Sequence, residues 1–64
     1  MNAEQAIHES IVRNRIVELK DNAEDRRYLA RHCDDSVETG QVTEYWGVDD
    51  DGNDWRVHIA WRIK

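Results

Sequence analysis

The last ten residues constrain the fold of this chain most. From Trp55 to Lys64 it alternates without interruption, with Trp55, Val57, Ile59, Trp61 and Ile63 on one side and Arg56, His58, Ala60, Arg62 and Lys64 on the other. A period of two puts successive side chains on opposite faces of a strand, so this segment is expected to be a strand with one face buried. Upstream, Val42, Glu44, Trp46 and Val48 share one parity, and Thr43, Tyr45 and Gly47 share the other. The intervening run, Asp49 to Asp54, contains Asp51-Gly52, a pair that favours a tight hairpin turn with positive φ. A two-residue loop there sets Val48 opposite Trp55, Trp46 opposite Val57 and Val42 opposite Trp61, which brings the two apolar faces together. A loop at Gly52-Asn53 slips the pairing by two and leaves the same faces together, so the register is open between them. Glu44 is the polar misfit on the apolar face.

The front of the chain has no glycine before Gly40, and the whole chain has no proline. Ala3, Ile7 and Ile11 recur every four residues, and Val12, Ile16, Leu19 and Ala23 continue at steps of four, three and four. Residues 3–20 are therefore expected to form one helix with a wide apolar side. The β-branched Ile11, Val12, Ile16 and Val17 lower helix propensity, and a strand from Ile11 to Leu19 is the competing reading. Asn22 is a natural N-cap, with Glu24 and Asp25 in the first turn and Arg31 and His32 near the far end, so a second helix is expected over 22–33. Asp34, Asp35, Ser36 and Gly40 mark a loop. The expected fold class is α+β: two N-terminal helices followed by a C-terminal antiparallel β-hairpin, in one domain spanning 1–64.

Charge separates the two halves. Residues 1–32 carry six acids and six bases, whereas residues 33–64 carry eight acids against Arg56, Arg62 and Lys64, which accounts for the whole net charge of -5. That balance opposes coating of nucleic acid by phosphate neutralisation. The N-terminus has no basic run before an apolar stretch, and no apolar run approaches the ~18 residues that span a bilayer. A cytoplasmic protein without membrane association is the expectation.

Motifs for chemistry are weak. The Asp-x-Asp-Gly of the acidic turn matches part of a helix-loop-helix calcium loop, but with Gly52 in its sixth place the first and twelfth positions are Gly47 and His58, which supply no such ligands. His8, His32, Cys33 and His58 are the soft metal ligands, and only the adjacent His32 and Cys33 are close in sequence, which does not make a zinc site. Cys33 falls at the end of the second helix, where the dipole opposes a thiolate. No phosphate loop or hydrolase signature is present. Neither catalysis nor a cofactor is expected.

One surface stands out. Arg56, His58, Arg62 and Lys64 with Tyr45 form the local basic and aromatic patch on the outer hairpin face, and these five are the candidate binding residues. Trp46, Trp55 and Trp61 are assigned to the face that covers the helices. A lone ribbon leaves its edges open, so edge-to-edge pairing of the C-terminal strand into a homodimer is expected. The functional expectation is a small acidic, non-catalytic interaction or regulatory protein that docks on a partner macromolecule. In size and charge it suits an accessory or phage-type inhibitor, by analogy of composition alone. The alternative is a nucleic-acid-binding module using the basic and aromatic outer face. A third reading, mimicry of DNA, draws on Asp34, Asp35, Glu38, Glu44 and Asp49 to Asp51.

Overall fold

The structure is a computed structural model and describes residues 1–61. In chain order its elements are α1 (Ala3–Arg13), β1 (Val17–Lys20), α2 (Ala23–His32), β2 (Asp35–Thr39), β3 (Val42–Val48) and β4 (Asp54–Ala60). The strands form one mixed sheet in the order β1-β4-β3-β2, with β1 parallel to β4 and the other neighbours antiparallel. This overturns the expected pair of N-terminal helices followed by a hairpin: a strand separates the helices, and the hairpin is the middle of a four-stranded sheet.

The single front helix ends early because of Asn14. Asn2 and Gln5 form a reciprocal capping box at the start of α1. At its end Asn14 adopts φ 53, the left-handed conformation that asparagine tolerates, while Asn14 N–H donates to the Ile11 carbonyl and Arg15 N–H to that of Ser10. That pair of bonds is the Schellman arrangement, which ends a helix. The β-branched residues beyond it then extend as β1. Of the competing strand reading, Ile11 to Leu19, only 17–19 is strand, and of the helical reading over 3–20, only 3–13 is helix.

The second helix agrees with its expected cap. Asn22 Oδ1 accepts from the backbone of Glu24 and Asp25 at 2.9 and 3.2 Å. Asp25 Oδ1 also accepts from Ala3 N–H at 3.1 Å, which places a carboxylate of α2 at the N-terminus of α1 and joins the two helices.

Where a loop was expected after α2 there is a strand, β2, exposed along its whole length. Its sequence, Asp-Ser-Val-Glu-Thr, has no alternation because it is an edge with no buried face, and its pairing comes from β3 instead.

The hairpin between β3 and β4 is closed by a three-residue loop rather than two. Asp49 N–H donates to Asn53 C=O at 3.0 Å, and Gly52 N–H donates to Asp49 C=O at 3.0 Å. Gly52 sits at φ +82, the third loop position of a type I turn with a bulge. The odd loop turns every side chain of β3 over relative to β4: Gly47 lies opposite Trp55, Tyr45 opposite Val57 and Thr43 opposite Ile59. Both expected two-residue registers are therefore corrected, and so is the sidedness they shared. Thr43, Tyr45 and Gly47 face the helices, and Val42, Glu44, Trp46 and Val48 face away.

The core lies between the helices and that inner sheet face. Ala3 and Ala6 of α1, Leu29 of α2, and Leu19, Tyr45, Trp55, Val57 and Ile59 of the sheet are buried, with Ile7, Ile11, Tyr28 and Trp61 packed at its margin. The stripe that α1 buries is Ala3, Ala6 and Ser10, small residues that let the helix lie close on β1 and β4. Burying a Val or Ile contributes about 1.5–3 kcal/mol, which makes Val57 and Ile59 at 0 % exposure central to so small a core.

Strand β4 is interior, with β1 and β3 on its two sides. The open C-terminal edge on which strand pairing was expected is not there over Asp54–Ala60. Arg62, Ile63 and Lys64 of the expected ten-residue strand lie outside the described residues. Among the described residues, no helix is long and apolar enough to cross a membrane.

Candidate functional site

The sheet has one face under the helices and one that neither α1 nor α2 covers. The ladder orders the uncovered face into rows across the strands. Val48 lies beside Asp54; Asp35, Trp46 and Arg56 form the next row; then come Val37, Glu44, His58 and Glu18; and last Thr39, Val42, Ala60 and Lys20. Val37 is 43 % exposed and Val48 47 % exposed, while Trp46 between them is half-buried.

Glu44 on this face sits between two basic side chains. Glu44 Oε2 lies 3.4 Å from Arg56 Nε and 3.4 Å from His58 Nε2. His58 Nε2 is buried and makes no hydrogen bond among the described residues. The polar misfit noted at Glu44 is thus resolved: this face is the outer one, and Glu44 is the counter-charge of Arg56 and lies beside His58.

Of the five candidate binding residues, Arg56 and His58 are together here, one row apart on β4. Tyr45 is on the other side of the sheet, 6 % exposed in the core. Arg62 and Lys64 lie outside the described residues. The aromatic residue that does accompany Arg56 is Trp46, which had been assigned to the helix-covering face. Trp46, Val37, Val42 and Val48 are the surface residues that the sequence reading missed. The signal for them was the glycine in third place of Asp50-Asp51-Gly52, which suits an odd loop.

The face continues into a groove of about 530 Å³ between the C-terminal end of α1 and the β3–β4 end of the sheet. Arg15, Ile16, Asp34, Trp46, Val48 and Arg56 line it. On its floor Ser10 Oγ, buried in α1, accepts the backbone N–H of Arg56 at 2.9 Å. This position precedes Val57, where β1 begins to pair with β4, so the helix supplies the acceptor that the neighbouring strand does not reach.

Elsewhere the polar side chains serve the fold. Trp61 Nε1 donates to Thr43 Oγ1 at 3.1 Å, and the Arg26 guanidinium lies 5.5 Å from the Trp61 ring centre. Arg26 Nε also pairs with Asp21 at 2.5 Å, which raises its already high pKa. Together these groups tie the end of β4 to the start of α2. Burial pushes the Cys33 thiol up, and the nearby Asp35 and Asp34 push it further, which opposes the thiolate that nucleophilic or metal chemistry needs. Among the described residues, no three His, Cys, Asp or Glu side chains are grouped to hold a metal. The acidic turn is held by Asp49, whose Oδ1 accepts from Asp51 and Asn53 N–H at 2.9 and 2.8 Å.

No protein-family model, curated protein or solved structure matches the chain.

Proposed function

We propose that this is a small, non-catalytic interaction or regulatory protein of the cytoplasm that docks its helix-free sheet face on a partner protein. The observation that carries this reading is the uncovered patch of Trp46, Val37 and Val48 in successive rows of the sheet, beside an Arg that pairs with Glu44. Tryptophan and arginine over a firm apolar base are the residues that most often anchor protein interfaces. Pairing Arg56 with Glu44 lowers the cost of desolvating it under a partner.

Nucleic acid is less well supported as the ligand. The tyrosine proposed to stack bases is in the core, and Arg56 is engaged with Glu44 rather than free for phosphates. A face that bound phosphates would lose affinity steeply with salt, by about 0.9 powers of ten per power of salt for each phosphate neutralised.

The test is affinity capture from the source cells by the wild-type chain, by Trp46→Ala with Val48→Ser, and by Val12→Ser as an exposed apolar control on α1. Docking through the sheet face requires one protein to be retained by the wild type and the control and lost with the double variant. Equal capture by all three rejects that face. A gel shift with the wild type at about 50 mM salt that vanishes in Arg56→Ala would favour nucleic acid instead.

A further inference from the structure

The edge of the sheet formed by β1 has its own chemistry, separate from the docking face. β1 is four residues long, Val17-Glu18-Leu19-Lys20, and among the described residues it pairs with β4 alone. Which of its backbone groups point outward follows from the neighbouring ladder. The Asp49–Asn53 bond marks a hydrogen-bonded pair at the hairpin end, and the Trp61 N–H to Gln41 C=O bond marks another at the far end. Antiparallel pairs alternate, so Trp55, Val57 and Ile59 direct their backbone groups to β3, while Arg56, His58 and Ala60 direct theirs toward β1. The Arg56 N–H reaching Ser10 fits that direction. His58 stands beside Glu18 in the parallel ladder and so engages Val17 and Leu19. The outward N–H and C=O groups of β1 are therefore those of Glu18 and Lys20.

We infer that the protein forms a two-fold dimer through this edge, with β1 antiparallel to β1 of a second copy, Leu19 on the axis, and each Glu18 directly opposite Lys20 of the other copy. In this register the unpaired backbone groups and the opposite charges fall on the same residues. Each Glu18–Lys20 pair exchanges both of its main-chain hydrogen bonds and matches its charges on the uncovered face. Other registers that use the outward groups do worse: an axis on Glu18 opposes glutamates, and an axis on Lys20 opposes lysines. The remaining edge, β2, carries Asp35 and Glu38 with no base, so a second copy there meets only like charge. Charges on an edge strand usually deter pairing with other chains. Glu18 and Lys20, two residues apart and of opposite sign, are complementary to their own copy.

A groove of about 730 Å³ lies where β1 meets the end of β4, lined by Glu18, Leu19, Lys20, Asp21, Ala60 and Trp61. Ile16, 42 % exposed, continues the strand on the face of Glu18 and Lys20. Leu19 already belongs to the core, so pairing at the axis makes the two cores adjacent and the sheet eight-stranded. The dimer uses β1 and leaves Trp46 uncovered.

Sedimentation under reducing conditions, from low to high micromolar chain, tests the inference. The wild type is expected to shift from monomer to dimer as concentration rises. Glu18→Lys and Lys20→Glu, each checked for folding by circular dichroism, are expected to weaken the dimer by about tenfold or more, because two attractive pairs become repulsive. An equimolar mixture of the two variants, and the swapped double variant, should recover it. Amide exchange of the wild type is a second measurement that needs no substitution: Glu18 and Lys20 N–H should become protected only as concentration rises. A monomeric wild type throughout, single reversals that dimerise normally, or Glu18 and Lys20 amides exposed in the associated state would each overturn the proposal. Trp46→Ala should dimerise as the wild type does, so failure of the edge and failure of the docking face are separable.

Discussion

The indole of Trp55 occupies the space where a side chain at residue 47 would lie. A Cβ placed on Gly47 would sit 2.9 Å from Trp55 Cζ2 and 3.0 Å from Cε2. The two residues are direct partners across β3 and β4, so the absence of a side chain on one strand is what lets the largest side chain of the other lie flat on the inner face. This contact works only in the observed register. Shifting the strands by one residue would put a valine or tryptophan of β3 across from Trp55.

Gly47→Ala should therefore destabilise the fold by about 1–3 kcal/mol, the range for overpacking a filled site. The backbone here is ordinary strand, so the cost comes from the Trp55 ring and not from φ. Urea unfolding measures it, and a fall of less than a few tenths of a kcal/mol would mean that the ring moves aside freely.

Ser10→Ala should cost about 0.5–1.5 kcal/mol, since it removes the acceptor of the part-buried Arg56 N–H bond. Amide exchange locates the effect: the Arg56 N–H should lose protection while that of Val57, bonded within the hairpin, changes only with global stability.

The tryptophans divide by face. Trp55→Ala should cost about 3–5 kcal/mol as a core truncation. Trp46→Ala should cost much less and remove partner capture. Equal stability losses at the two positions would contradict the sidedness described here.

The acidic turn gives a pH dependence. The Asn53 N–H holds Asp49 below its usual carboxylate range, with the Asn53 side chain and the Asp51 and Gly52 N–H groups adding to it. A carboxylate with a lowered folded-state pKa stabilises in full above its unfolded value, and that stabilisation disappears as pH falls through the folded value. Asp49→Asn keeps an acceptor oxygen but no charge. The wild type should be more stable than the variant near pH 7, and the gap in urea midpoint should narrow as pH falls below the ordinary carboxylate value of 3.8. A gap that is constant with pH would show that the carboxylate charge does not contribute.

Asp25→Ala should loosen both helices, because its carboxylate accepts from Ala3 at the start of α1 while sitting in the first turn of α2. A loss of about 0.5–2 kcal/mol is expected, with amide exchange rising in the first turn of α1.

Much of the local structure was legible in the residues themselves. Asn22 with Glu24 and Asp25 marked the start of α2, and the alternation from Trp55 marked β4 and its inner face, because capping and period two act within a few residues. The basic face of Arg56 and His58 was legible for the same reason. Three features required the whole fold. Asn14 was an ordinary residue in an apolar repeat until its left-handed turn freed β1 to pair with a strand forty residues away. β2 has no pattern of its own and is a strand because β3 offers it hydrogen bonds. Trp46 and Tyr45 exchanged faces because one extra residue in a loop inverts a whole strand, and the fit of Trp55 over Gly47 selects that loop. Alternation shows that a strand has two different faces, but only its neighbours decide which face is covered.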